Sequence, residues 1–160
     1  MKRLLFTIIF TLVALVASAS TRLDDLLAEL DAQLQQRNGY RANREQRIAS
    51  LMSMKSAEGL SAEHSYTLNQ QLIDEYVTFQ ADSAITYFQQ NLALAHEMRN
   101  KSLIAVTSID LAHFYASTGF YFEASQLLDV VDTLSLNKEQ LVDYYITQHK
   151  LNDELSLYTN

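Results

Sequence analysis

The stretch from Leu103 to Val131 constrains the fold of this chain more than any other. Before Gly119, apolar residues fall at Ile104, Leu111 and Tyr115, and Leu103, Ile109, Ala112 and Phe114 widen the stripe. After it come Tyr121, Ala124, Leu127, Leu128 and Val131. Spacings of three and four residues put each set on one face of a helix. Between the sets lies Ala116-Ser117-Thr118-Gly119. A glycine just past the last periodic position can take the left-handed conformation that closes a helix. Two helices joined by so short a loop run antiparallel. Ala112 and Ala124 sit within the stripes and are small enough to let the backbones approach closely. The rest of the chain agrees: it has no Pro and only three Gly, so little in it breaks a helix.

Leu111, Ala112, Tyr115, Ala124 and Leu128 resemble the tetratricopeptide repeat (TPR). In that pattern a Leu, a small residue and a Tyr on one helix face an Ala and a large apolar residue on the next. Ser108 stands where the pattern has Trp, and Leu136 where it has Pro. Upstream, Leu72, Ile73, Tyr76, Ala84 and Phe88 repeat the offsets with a turn one residue shorter. Downstream, Leu141 and Tyr145 start a third unit with no second half. The resemblance implies an all-α fold of antiparallel hairpins stacked as a TPR-like right-handed solenoid, preceded by a long N-terminal helix. Another all-helical array is the plain alternative.

In chain order, Met1 to Ala19 reads as an export signal. Lys2 and Arg3 open it, Leu4 to Val16 is its apolar run, and Ala17-Ser18-Ala19 is its cleavage site. The run is short for a membrane span, which needs about 20 residues. The expectation is an exported chain in the periplasm of a Gram-negative envelope. Thr21 to Lys55 reads as one long helix, although Asn38-Gly39 offers a place to end it. Leu23, Leu27, Leu30 and Leu34 keep a 4-3-4 rhythm that continues through Arg37, Arg41, Arg44, Ile48 and Leu51, as in a coiled-coil seam. Ser56 to Ser61 is a loop. The helices expected beyond it are Ala62 to Val77, Ala81 to Arg99 with Asn100 as its stop, the two of the central hairpin, and Lys138 to Tyr158. Asp132 to Asn137 is a polar loop. The domain reading is thus 1–19 signal, 20–55 long helix and 62–160 repeats, incomplete at the C-terminus. The face of Tyr144, Leu151 and Leu155 is then left for another chain or for a continuation of this one.

The formal charge of −7 does not suit a nucleic-acid binder. The absence of cysteine excludes disulfides and zinc–thiolate sites. His64, His96, His113 and His149 show no metal-ligand spacing, and no nucleophile or phosphate-loop motif occurs. His113 reads as a core or rim residue. The expectation is no enzyme, no cofactor and no metal.

Arg37, Tyr40, Arg41 and Arg44, with Arg47 nearby, form a basic stripe in an acidic chain. Arg suits carboxylate or phosphate groups through paired hydrogen bonds. The stripe is therefore a candidate partner site; the plainer reading is pairing with Glu63, Asp74 or Glu75 inside the fold. Tyr145 is the fifth candidate, because Tyr joins an apolar body to a polar tip. Tyr115 falls in a packing slot.

The order of these features resembles the N-terminal sensor part of exported bacterial TPR regulators. These features are the export signal, the Leu-rich helix, Arg37 to Ile48, and Phe79 with Asp82-Ser83-Ala84. The resemblance implies a periplasmic repeat domain followed by a membrane helix, a coiled coil and a cytoplasmic DNA-binding domain. The functional expectation is a module that binds a protein or peptide, with membrane attachment only through the signal or through further parts. The alternative is a structural envelope protein that self-associates, a homodimer, through the Leu23 to Leu51 seam and the last helix.

Overall fold

The structure is a computed structural model. It describes the backbone of residues 2–158 and the side chains of residues 22–157 other than position 24. Six α-helices follow one another: α1 (Lys2–Lys55), α2 (Ala62–Tyr76), α3 (Ala81–Glu97), α4 (Lys101–Thr118), α5 (Tyr121–Asp129) and α6 (Lys138–Tyr158). A short 3-10 turn, Thr133–Ser135, lies in the loop before α6. No strand occurs among the described residues. The export-signal reading of Met1 to Ala19 falls outside the described side chains. Among those described, no helix is long and apolar enough to cross a membrane.

The chain divides into two compact units, residues 1–47 and residues 48–160. The first is helix alone. α1 passes through Gly39 without interruption. Its leucines are open: Leu23 is 58% exposed and Leu30 is 52% exposed.

The second unit is built from hairpins. α2 packs on α3, α4 on α5, α3 joins the two pairs, and α6 lies against α4 and α5. One core gathers Ile73, Phe88, Leu111, Ala112, Tyr115, Ala124, Leu128 and Leu151. Ala84, Ala112 and Ala124 have no exposed surface at all, so neighbouring backbones come close where the sequence places small residues. A second cluster joins Ile48 and Leu51 to Leu68 and Leu72. The far end of the heptad rhythm is therefore consumed by the core.

The two hairpins share a packing device. In the first, Tyr76 stacks on Phe79 of the turn with ring centroids 5.5 Å apart. In the second, Tyr115 meets Phe120 of the turn at 5.6 Å. The tyrosine of each repeat is thus held by a phenylalanine at the bend. The second bend closes as its glycine predicts: Gly119 has φ 90°, in the left-handed region, and its N–H donates to the Tyr115 carbonyl.

The bend between α3 and α4 differs from expectation. Asn100 does not stop α3, which ends at Glu97. Asn100 caps the next helix, its Oδ1 accepting the Leu103 N–H at 3.1 Å. The residue that turns the chain is Arg99, with φ 52°. There the Asn100 N–H reaches back to the Ala95 carbonyl at 3.0 Å and the Arg99 N–H to His96 at 3.0 Å. A side chain in this conformation costs about 1 kcal/mol relative to glycine. Arg99→Gly is therefore expected to raise unfolding stability by about that amount, read as a shift in the denaturation midpoint.

α6 starts where expected, on a reciprocal cap. Asn137 Oδ1 accepts the Gln140 N–H at 3.0 Å, and Gln140 Oε1 accepts the Asn137 N–H at 3.0 Å. Its faces need correction. Leu151 is buried and Tyr144 packs against the core, so they are not the open face. The exposed apolar residues are Val142, Tyr145, Ile146, Leu155 and Leu157. The inward register is set by Thr147 and Leu151, which lie one turn apart and face α4 and α5.

Candidate partner-binding face

Helices α2, α4 and α6 are the first helices of successive units. Polar contacts join them in order along one face. From α2, Tyr66 meets Thr107 of α4, with the two hydroxyls 2.7 Å apart. Burial pushes the Tyr66 phenol up from its usual range. From α4, His113 Nδ1 lies 3.3 Å from the Thr147 hydroxyl of α6. At the start of α6, Gln140 Nε2 donates to the Ser102 hydroxyl of α4 at 2.9 Å. Thr107, Ser108, Thr147 and Gln140 are all buried. Thr107, Thr147 and Gln140 find their polar partners where first helix meets first helix.

Asp110 lies in the middle of this face, on the same side of α4 as Thr107 and His113. It is half-buried. Its carboxyl is pushed up from 3.8 to about 6, first by burial and then by the carboxylates of Asp143 on α6 and Asp74 on α2. Asp110 thus feels the charge of one acid from each of the two neighbouring first helices. His113, half-exposed beside it, is pushed down by burial and by Lys150, while Asp143 works the other way. Among the described residues no three acidic or histidine side chains converge closely enough to hold a metal ion.

Arg37, Tyr40, Arg41 and Arg44 share α1 in the first unit, and Tyr145 is in the second. Arg41 pairs with Glu45, one turn along its own helix, at 2.9 Å. The Tyr40 hydroxyl accepts from Gln36 Nε2 at 3.3 Å, and its ring is 65% exposed. Tyr145 is 55% exposed and meets Tyr144 edge-on. Tyr115 is buried in its packing slot. His113 stands at the rim, as expected.

The acids were missed. Asp110 did carry a signal, being the one acidic residue of α4 and set between Ile109 and Leu111. Asp74 and Asp143 carried none, because their meeting with Asp110 depends on how successive hairpins stack.

No curated protein and no solved structure matches the chain. A family model does, that of the SusR N-terminal TPR domain, over residues 34–160. The match takes in both hairpins, α6 and the C-terminal part of α1. Together with the paired helices and their repeated tyrosine–phenylalanine bends, it shows that the chain belongs to the SusR N-terminal TPR domain family.

Proposed function

We propose that this chain is the exported sensing arm of a regulator, and that it works by binding a protein or peptide segment rather than by catalysis. The regulator reading rests on the family, whose description places the TPR domain at the N-terminus of SusR. Export to the periplasm rests on Lys2-Arg3, the apolar run Leu4 to Val16 and Ala17-Ser18-Ala19. Stacked helical repeats use extended faces to hold partners.

One observation carries the choice of ligand class. Asp110 is half-buried, and its carboxyl is raised by burial and by the charges of Asp143 and Asp74. A lysine or arginine side chain laid there relieves the buried Asp110 carboxyl. The partner is therefore a segment rich in basic residues, lying across α2, α4 and α6.

Selection from a random peptide library against the purified chain tests this. Lys- and Arg-rich sequences are expected, and charge reversal by Asp143→Lys should weaken the selected peptides by at least roughly tenfold, a ~1.4 kcal/mol effect. Enrichment of acidic or uncharged sequences would sink the reading.

A further inference from the structure

The leucine stripe of α1 carries an inference independent of the acidic face. Leu23, Leu27, Leu30 and Leu34 are between 41% and 58% exposed, and Leu26 beside them is 56% exposed. Residues 35–47 that follow are almost wholly polar. Helices in proteins owe most of their stability to packing an apolar face, and leucines at strict heptad spacing are shaped for a second helix. The seam cannot extend past Arg47, because Ile48 and Leu51 are already packed on Leu68 and Leu72.

Charge identifies the second helix. Residues 22–34 carry Arg22 against Asp24, Asp25, Glu29 and Asp31. Residues 35–47 carry Arg37, Arg41, Arg44 and Arg47 against Glu45. One half of the helix is acidic and the other basic by the same margin. An anionic membrane surface would be repelled by the acids that flank the leucines. A second copy laid in parallel would stack Arg37 on Arg37 and Arg41 on Arg41. A second copy laid antiparallel sets each acidic half beside a basic half.

We propose that α1 pairs with α1 of a second copy of this chain as a two-fold antiparallel coiled coil centred near residue 32. The heptad then places Leu30 opposite Leu34 of the second copy. Leu27 and Leu23 come opposite Arg37 and Arg41. The aliphatic stems of these arginines cover the leucines while their heads reach the acidic turns around Asp25 and Asp31. Arg41 keeps Glu45 as a neighbour on its own helix, so pairing adds an opposite charge without removing one.

The chain has no cysteine, so single-cysteine variants report cleanly. Leu23→Cys and Arg41→Cys are made on full chains with tags of different size, produced together and oxidised. The expected product is a mixed disulfide dimer of 23 with 41, with no 23-to-23 product. Self-linking of Leu23→Cys alone would show parallel pairing and overturn the proposal. Scattering mass supplies the second readout. The unaltered chain is expected at twice the single-chain mass, and Leu27→Arg with Leu30→Arg at the single-chain mass. An unaltered chain that stays monomeric at every concentration also overturns it.

Discussion

Leu111→Ala is expected to lower unfolding stability by about 3 kcal/mol. The side chain is only 2% exposed and sits in the core that both hairpins and Leu151 of α6 share. Its removal loses the burial of three carbon groups and leaves a cavity that fixed neighbours cannot fill. The same core holds Ala112 and Ala124, which have no exposed surface, and Phe88 and Tyr115, which pack on the rings of Phe114 and Phe120. The loss should appear as a lower urea midpoint with an unchanged slope. Leu30→Ala on the open stripe of α1 should change the second unit's stability by less than about 0.5 kcal/mol. The contrast between two leucines of the same size measures where the core lies.

Asp110→Asn is the second large effect, and it depends on pH. The folded carboxyl titrates at about 6, above its usual 3.8. The native state therefore holds the proton more tightly than the unfolded chain. Below the unfolded value the group costs nothing. Stability falls as pH rises from 3.8 to about 6, and the full cost stands above that. A shift of this size corresponds to roughly 2 kcal/mol once the partial exposure of the group is allowed for. Asn keeps the shape and carries no charge. The variant should be more stable than the parent by about 1–2 kcal/mol at pH 7 and indistinguishable from it at pH 3.5, as read from paired denaturation curves. A parent and variant that differ equally at both pH values would show that charge is not the cause.

Much of the fold was legible because periodicity reports it directly. The 3-4 spacing around Gly119 fixed a hairpin whose close approach at Ala112 and Ala124 followed from residue size. The bounds of α6 were read correctly, although the reciprocal Asn137–Gln140 cap that sets its start was not. The bend at Arg99 was misread because a non-glycine residue in a left-handed conformation has no sequence mark, and Asn serves both as a stop and as a cap. The exposed face of α6 was misassigned because Leu and Tyr occur on both of its sides, so only packing against α4 and α5 tells inside from outside.

The site was harder to read than the fold. The arginine stripe drew attention because its residues are close in sequence. Asp74, Asp110 and Asp143 are each about 35 residues apart, and the first and last act on Asp110 only through stacking. Spacing within one helix is visible in a sequence; register between hairpins is not.

The most direct test follows the backbone amides of an isotope-labelled chain by NMR while a lysine-rich peptide from the selection is added. The account predicts shifts confined to α2, α4 and α6 around Asp74, Asp110 and Asp143, weakening with salt and abolished by Asp110→Lys with Asp143→Lys. Shifts that cluster on α3 and α5, or that survive the charge reversal, would contradict it.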